Sequence, residues 1–288
     1  MKVLLTGASG FIGRNIATAL AAAGHQVSPV SRSHGMDFGN MTTPASWLPH
    51  LQGCDAVINC VGIIGQTATQ RFDVLHTQAP VALFHACVQA KVRRVIQISA
   101  LGADETAFSA YHLSKRAADD GLRGLDLDWF VLRPSLIYGR GGQSSKLFMR
   151  LAALPLIPVM GHGQQALQPV HISDVVATVM QSLTSTQPKR TLDIVGADTI
   201  TFAQWLQRMR QAQGLGAGRF LHIPFGLVMA VARLGRHIHP LLQPENFRML
   251  QTGYWADVQP LAQFLGRMPQ AHDAHLFFTD DVLQGSPT

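Results

Sequence analysis

The chain has 288 residues, of which 47% are hydrophobic and only 14% are charged, and its formal net charge is +6 at pH 7. This composition is typical of a compact folded protein with a large core, and it excludes an intrinsically disordered chain. Since the positive residues are scattered along the sequence, we interpret them as an ordinary solvated surface and expect no nucleic-acid partner.

Apolar runs that predict β-strands alternate with patterns that predict helices. The strands are predicted at residues 2–6, 26–31, 55–61, 94–99, 128–133 and 191–195. The helices between them are predicted at residues 11–23, 43–51, 78–91 and 110–124. This alternation predicts an α/β fold, a Rossmann-type doubly wound parallel sheet with helices on both faces.

The organisation changes after about residue 140, where glycine and proline interrupt the pattern. We assign residues 1–140 and 166–196 to a dinucleotide-binding domain. Residues 141–165 and 197–288 are assigned to a smaller, mostly helical cap or substrate region. A second substrate is expected in a cleft between the two parts.

The first predicted strand ends at a glycine-rich turn with Gly7, Gly10 and Gly13. Glycine lets the backbone turn tightly and approach a ligand closely, and the positive end of the following helix attracts phosphate. The spacing differs from G-x-G-x-x-G, yet the flanking strand and helix are those that a dinucleotide site requires. The predicted cofactor-binding residues of this segment are Thr6, Gly7, Ser9, Gly10, Phe11, Ile12 and Gly13.

The residues after the second predicted strand indicate which nicotinamide cofactor binds. An acid there would bond a ribose 2′-OH, whereas an arginine accommodates a 2′-phosphate. The chain has Arg32 in this region and no acid before Asp37, so we predict NADP, with NAD as the alternative. Asp37 is a candidate acceptor for the adenine amine, and capping of the turn at Gly39 is the other interpretation.

Tyr111 and Lys115 stand four residues apart in a predicted helix, so their side chains share one face. A phenol titrates near ~10, and a neighbouring ammonium lowers its pKa by favouring the phenolate. Such a pair can exchange a proton with a carbonyl or an alcohol while hydride moves to or from nicotinamide. The motif predicts oxidoreductase chemistry, and an incidental tyrosine on a surface helix is the alternative.

Four segments in this order resemble the extended and atypical short-chain dehydrogenase/reductases, the NAD-dependent epimerase/dehydratase group. They are residues 6–13, 111–115, 132–139 and 168–175. Residues 59–63 and 98–104 are similar to one branch of that group, which is related to the accessory nucleotide-binding subunit of respiratory complex I.

The resemblance implies a role for each matching residue. Gly7, Gly10 and Gly13 would cradle the pyrophosphate. The adenine ribose would be bordered by Cys60, Val61 and Gly62. Lys115 would hold the nicotinamide ribose, and Pro134 and Ser135 would flank the nicotinamide. Asp174 would tie the cap region to the sheet.

One departure from the family pattern concerns the third catalytic residue. The family has a serine or threonine one or two positions beyond the serine that ends the predicted strand, where this chain has Ala100 and Leu101. Ser99 is the candidate for this role, with a structural role as the alternative, and Thr106 or Ser109 could substitute. A lost hydrogen-bond donor of this kind costs orders of magnitude in rate.

Three functions follow from these observations. The first is an NADP-dependent reductase, dehydrogenase or epimerase that uses Tyr111 and Lys115. The second, motivated by Ala100, is an NADPH-binding protein with little or no turnover in a structural, respiratory-assembly or quinone-linked role. The third is a redox-sensing regulator, which the tyrosine–lysine pair disfavours because sensing needs no proton donor.

The remaining expectations concern partners and compartment. Three cysteines without a CxxC pair favour a reducing, cytoplasmic location. No metal is expected, because His237, His239, His272 and His275 lack an acid or cysteine partner in a recognisable zinc pattern. The substrate is expected to be a small molecule, with an apolar or quinone-like compound as one candidate.

The apolar residues 225–234 are too few for a membrane span. We interpret them as a buried helix, with peripheral membrane contact as the alternative.

The aromatic residues of the cap region have two interpretations as well. They could line an apolar substrate pocket, but ordinary core packing is favoured. The residues in question are Trp205, Phe220, His222, Phe225 and Trp255.

Overall fold

The computed structural model describes residues 1–235, 242–271 and 274–277, and these form two compact units. The first unit comprises Met1–Pro134 and Val175–Ile194, and the second comprises Ser135–Asp174 and the described residues from Val195 onward. The histidines considered above at 237, 239 and 272, and the side chain of the one at 275, lie outside the described residues.

The strands of the described residues are, in chain order, β1 (Lys2–Thr6), β2 (Gln26–Val30), β3 (Ala56–Asn59), β4 (Arg94–Ile98), β5 (Asp128–Pro134), β6 (Ile137–Tyr138), β7 (Leu156–Met160), β8 (Ala166–Leu167), β9 (Val170–His171), β10 (Arg190–Ile194), β11 (Ile200–Thr201) and β12 (Arg219–Ile223). The α-helices are α1 (Phe11–Ala22), α2 (Pro44–Trp47), α3 (Ala79–Ala90), α4 (Ala110–Arg123), α5 (Gln143–Ala152), α6 (Ile172–Thr184), α7 (Phe202–Ala212), α8 (Phe225–Gly235), α9 (Pro244–Thr252) and α10 (Gln259–Leu265). A π-helix (Asp73–Gln78) precedes α3.

The first unit is built on a six-stranded sheet in the order β10-β5-β4-β3-β1-β2. All of its strand pairs are parallel. The predicted Rossmann-type doubly wound sheet is therefore confirmed. Since β1 lies between β2 and β3, the strand order reverses beside β1, and ligands of open α/β sheets bind at the carboxyl ends of the strands at such a point.

The sheet is buried because its strands carry apolar side chains on both faces. Val3, Leu4 and Leu5 are at most 1% exposed, and β3 is buried along its whole length. Helices α1 and α3 contribute Ile16, Leu20 and other apolar side chains that are equally buried. Continuous apolar strands of this kind are typical of parallel sheets covered by helices.

The helix predicted at residues 43–51 is much shorter in the structure. Helix α2 ends at Trp47, and a 3₁₀ turn continues from Leu48 to Leu51. Pro49 explains the difference, because it has no N–H to donate and restricts the backbone of the residue before it. Trp47 is fully buried, and its indole N–H donates to the Met41 carbonyl at 2.8 Å.

The second unit combines helices with short strand pairs. The pairs are β6 with β9 and β7 with β12, both parallel, and β8 with β11, which is antiparallel. Its core contains Tyr138 and Trp205, whose ring centroids lie 5.1 Å apart, and Phe277 packs against both. Trp205 is thus a core residue, whereas Trp255 is 70% exposed.

Helix α8 contradicts the sequence-based interpretation of residues 225–234 as buried. Leu227, Val231 and Leu234 are exposed, while Met229 and Ala232 on the opposite face are buried. The interpretation was wrong because the helix is apolar on both faces, so its periodicity does not indicate which face packs. Across the part of the chain that the structure describes, no helix has the length and apolar composition needed to cross a membrane.

Candidate functional site

The glycine turn joins β1 to α1 at the carboxyl edge of the sheet. Gly7 has a φ of +68°, and its N–H donates to the Val30 carbonyl at 2.9 Å. A Cβ atom on Gly13 would lie 2.2 Å from the Gly7 carbonyl oxygen, so any other residue would push α1 away from the turn. Gly10 is the N-cap of α1 and has no side chain to cover the helix end. The turn thus leaves the positive end of α1 open toward an anion.

The polar residues after β2 form a small cluster. The Ser31 hydroxyl lies 2.9 Å from the Ser33 hydroxyl and 2.6 Å from Nδ1 of His34. Arg32 is exposed on the same 3₁₀ turn. Asp37 accepts a hydrogen bond from the Gly39 N–H at 3.0 Å, which is the capping role considered from the sequence.

A chain of buried hydrogen bonds connects the ends of three strands beside the turn. Thr6 donates to Asn59 at 2.5 Å, and Asn59 donates to Gln97 at 2.7 Å. The same Asn59 oxygen accepts from the Val61 N–H at 3.2 Å. This network fixes the start of the segment 60–62 against β1. Burial raises the pKa of the Cys60 thiol to about 12, which keeps it neutral.

Helix α4 carries Tyr111 and Lys115 beside the segment 60–62. Lys115 is only 3% exposed, and its ammonium donates to the Val61 carbonyl at 3.1 Å and the Ile98 carbonyl at 3.0 Å. Gly62 lies against this lysine, and a Cβ atom on it would make a tight contact of 3.1 Å with the Lys115 Nζ. The structure therefore brings the predicted lysine to the carboxyl ends of β3 and β4.

Burial controls the titration of this pair. Burial lowers the pKa of Lys115 to about 8, although the charge of Asp119 opposes the shift. Burial also raises the pKa of Tyr111 to about 12, and Asp119 adds to that shift. The expected lowering of the tyrosine pKa by Lys115 is therefore wrong for this structure, because the loss of water around the phenol and the charge of Asp119 both raise that pKa.

Asp119 is a buried carboxyl that the sequence reasoning missed. It lies one helical turn beyond Lys115 on the same face of α4 and is 0% exposed. The Ser99 hydroxyl donates to its Oδ2 atom, so this hydroxyl is used within the first unit. Burial raises the pKa of Asp119 to about 7, against the lowering effects of Ser99 and Lys115. The four-residue spacing from Lys115 was the available signal.

His76 is the second residue that was missed, and it lies fully buried in the π-helix. Its Nε2 accepts from the Ile63 N–H at 3.0 Å, and its Nδ1 lies 2.9 Å from the Ser114 hydroxyl. Its ring packs edge-on against Tyr111, with centroids 5.5 Å apart. Burial and the neighbouring Lys115 lower its pKa to about 2, so the ring is neutral. His76 thereby ties the segment after β3 to α4, which no short motif would have revealed.

The other residues predicted from the sequence lie in loops and at element ends, where they bond to the surrounding backbone or loop. The Pro134 carbonyl accepts from the Leu101 N–H at 2.9 Å. Ser135 belongs to the second unit, where its hydroxyl donates to the Gln168 carbonyl at 2.5 Å. The two suggested substitutes for a catalytic hydroxyl bond to their own loop: Thr106 donates to Asp104 at 2.6 Å, and Ser109 caps α4 by accepting from the His112 N–H.

Asp174, which the resemblance placed between cap and sheet, is fully buried in the second unit. Its Oδ1 pairs with Arg267 at 2.7 Å, and its Oδ2 accepts from the Gln270 N–H at 2.8 Å. Among the residues that the structure describes, no three histidine, cysteine, aspartate or glutamate side chains are grouped as a metal site would require.

Comparison with known proteins gives matches over most of the chain. The model of the NAD dependent epimerase/dehydratase family matches residues 3–195, which include all the candidate site residues. Ceramide reductase from Caulobacter vibrioides is 30% identical over 190 residues, which are 62% of this chain and 59% of that protein. The chain thus aligns with less than two thirds of that relative.

Two further relatives align over more of their length. Human epimerase family protein SDR39U1 is 28% identical over 283 residues, 88% of this chain and 94% of that protein. Its solved structure with NADPH has the same fold, with a TM-score of 0.75 at 21% identity, covering 96% of this chain and 98% of that chain. NADH dehydrogenase (ubiquinone) 1 alpha subcomplex subunit 9 from Arabidopsis thaliana is 25% identical over 270 residues, 85% of this chain and 67% of that protein. The resemblances inferred from the motifs are confirmed.

The close approach at Gly13 leads to a first prediction. We expect Gly13→Ala to weaken the binding of NADP⁺ by at least ~10-fold and to lower the free energy of unfolding by about 1–3 kcal/mol, because the new Cβ meets backbone rather than a flexible side chain. Isothermal calorimetry and urea unfolding measure the two effects. Gly24→Ala is the matched control at the other end of α1. Gly24 has open space around it and a positive φ, so the substitution strains the backbone far from the turn. Equal cofactor affinity in wild type and Gly13→Ala would contradict this account of the turn.

The raised pKa of Asp119 leads to a second prediction. Because folding raises the pKa of this carboxyl from 3.8 to about 7, the folded state holds the proton more tightly, and the free energy of unfolding should fall as pH rises through this range. Asp119→Asn keeps an acceptor for Ser99 but cannot ionise. We expect the variant to lose that part of the decline, a difference on the order of 1–3 kcal/mol at pH 8. Urea unfolding between pH 4 and pH 8 measures this difference. An identical pH dependence of the free energy of unfolding in both proteins would refute the raised pKa of Asp119.

Proposed function

The chain belongs to the NAD dependent epimerase/dehydratase family, and from that premise we propose that it is an NADP(H)-dependent oxidoreductase acting on a carbonyl or alcohol. The observation that carries the proposal is the buried ammonium of Lys115, held by two backbone carbonyls beside the glycine turn and on the same helix face as Tyr111. A surface helix with an incidental tyrosine would have no reason to bury a lysine, because burying an ammonium costs several kcal/mol.

The glycine turn of the first unit supports a dinucleotide site. The backbone packs so closely at Gly7 and Gly13 that side chains there would meet other backbone atoms, and Gly62 lies close to Lys115. We propose that the glycine turn, with Thr6, Ser9, Phe11 and Ile12, holds the pyrophosphate. The segment Cys60–Gly62 and Asp37 serve the adenosine end, and Pro134 and Ser135 serve the nicotinamide end.

We propose NADP rather than NAD because of the cluster after β2. Arg32 is exposed, and its sequence neighbours Ser31 and Ser33 carry hydroxyls that lie 2.9 Å apart. A guanidinium matches the geometry of a phosphate, and hydroxyls can complete its hydrogen bonds. The NADPH-bound structure of human SDR39U1 agrees with this choice.

In the proposed reaction, bound nicotinamide supplies or accepts a hydride, and the protein handles the proton. Tyr111 donates its proton to the substrate oxygen as a carbonyl becomes an alcohol, and takes it back in the reverse direction. Lys115 stabilises the phenolate that remains and orients the nicotinamide ribose with its remaining N–H. Ser99 is the proposed third catalytic residue, which requires its hydroxyl to leave Asp119 for the substrate.

The substrate class proposed is an apolar molecule that bears a carbonyl group. One of the relatives is named ceramide reductase, a name that indicates a lipid substrate. The alignment with that relative covers 62% of this chain. A quinone-like molecule is also apolar and bears carbonyl groups, so it belongs to the same proposed class.

A second candidate function is an NADPH-binding protein with little or no turnover. The observation that favours it is the strand end at Ser99 and Ala100, where the one hydroxyl present is used by Asp119 and Ala100 offers no donor. The similarity to a subunit of NADH dehydrogenase supports a respiratory-assembly role for such a protein.

Replacement of Tyr111 separates the two candidates. For an oxidoreductase, we expect Tyr111→Phe to lower kcat by at least ~100-fold, since the proton donor is lost, while the Kd for NADPH changes less than about threefold. NADPH oxidation with a panel of ceramide-like ketones and quinones measures turnover, and NADPH fluorescence measures binding. Equal turnover in the wild type and the variant would reject the role of Tyr111, and the absence of turnover in the wild type would favour the second candidate.

Replacement of Arg32 tests the cofactor choice. We expect Arg32→Gln to weaken NADPH binding by about 10- to 100-fold and to leave NADH binding nearly unchanged, because only NADPH has the 2′-phosphate. Arg93→Gln is a matched control, since Arg93 lies just before β4, at the amino ends of the strands, where its guanidinium pairs with Asp126 and Asp128. A parallel loss of affinity for both cofactors would contradict the proposed phosphate contact.

A further inference from the structure

Helix α8 is apolar on its outer face as well as on its inner face. Leu227, Val231 and Leu234 are 56%, 61% and 83% exposed, and their spacing of four and three residues places them on one side. Arg233 is the only polar side chain in the 11-residue helix. A surface helix normally carries polar residues on its outer face, and a helix that is apolar all round is normally covered. This face therefore has the character of an interaction surface.

The sequence around this helix is positively charged and contains no acid. Between Asp198 and Glu245 there is no aspartate or glutamate, and there are five arginines. They are Arg208, Arg210, Arg219, Arg233 and Arg236. The Arg210 guanidinium donates to the carbonyls of Gly216, Ala152 and Leu154, so it is used within the second unit. Arg219 and Arg233 are exposed in the structure, and Leu221 beside Arg219 is 45% exposed. Exposed apolar and cationic side chains thus occur together in one segment.

We propose that α8 is a docking surface for an anionic lipid membrane. The helix would lie in the plane of the membrane, with Leu227, Val231 and Leu234 among the acyl chains and with the exposed Arg219 and Arg233 at the headgroups. Its 11 residues span only about 16 Å, which suits a helix lying on a bilayer. Each arginine near an anionic surface adds attraction, and the absence of acids in this segment avoids local repulsion.

A second copy of the chain fits this surface less well. A two-fold interface brings the same patch of both copies together, so it would set the arginines of one copy against those of the other. Like charges across an interface disfavour association. The charge of the segment therefore selects an anionic surface over self-association.

This inference goes beyond the proposed oxidoreductase and does not depend on it, because vesicle binding needs neither cofactor nor substrate. The test is flotation of the full chain with vesicles of phosphatidylcholine that contain about one third phosphatidylglycerol. We expect wild type to bind these vesicles at low salt, to bind vesicles of pure phosphatidylcholine at least ~10-fold more weakly, and to be released at about 0.5 M NaCl. The double variant Leu227→Gln/Leu234→Gln should bind the anionic vesicles at least ~10-fold more weakly than wild type.

The matched control is Val88→Gln/Leu113→Gln, which changes two apolar side chains on α3 and α4 that are 45% and 47% exposed. It should bind as wild type does. Near-UV circular dichroism and NADPH fluorescence show that each variant is folded. The proposal is overturned if wild type does not bind anionic vesicles or if the α8 variant binds them equally well. It is also overturned if sedimentation shows a wild-type dimer that the α8 variant cannot form, since a second copy would then cover the face.

Discussion

A buried positive charge organises the site of the first unit. The ammonium of Lys115 has almost no contact with water, and two carbonyls at the ends of β3 and β4 supply its hydrogen bonds. An unpaired ammonium in this place would cost several kcal/mol, so α4 has to dock where those carbonyls are. Gly62 lies against the lysine, and the charge of Asp119 opposes the lowering of the Lys115 pKa. The position of Tyr111 follows from this docking, because it lies on the same helix face.

The burial of Lys115 beside Asp119 also affects the acid–base properties of Tyr111 and Ser99. Asp119 supports the charge of Lys115, but it also takes the hydroxyl of Ser99 and raises the pKa of Tyr111. A residue that holds the lysine in place thus opposes ionisation of the tyrosine. A second hydroxyl after the strand would relieve Ser99 of this double use, but this chain has Ala100 there. The two candidate functions differ in whether Tyr111 can transfer a proton in these surroundings.

Much of the first unit could be predicted because local rules and tertiary packing agree there. The strands end within about two residues of their predicted bounds, and the glycine turn is where the motif required it. The sequence was less informative where a residue acts through distant partners. His76 bonds to Ile63 and Ser114 across two elements, and the orientation of α8 depends on packing that its uniformly apolar sequence does not encode.

The central claim is that the glycine turn holds the pyrophosphate and Lys115 holds the nicotinamide ribose of one cofactor. A crystal structure with NADP⁺ tests it most directly. The account predicts the pyrophosphate over Gly7–Gly13, the 2′-phosphate on Arg32, and the Lys115 ammonium bonded to the nicotinamide ribose. A complex in which Lys115 makes no contact with the ribose, or in which the phosphates lie away from the turn, would contradict it.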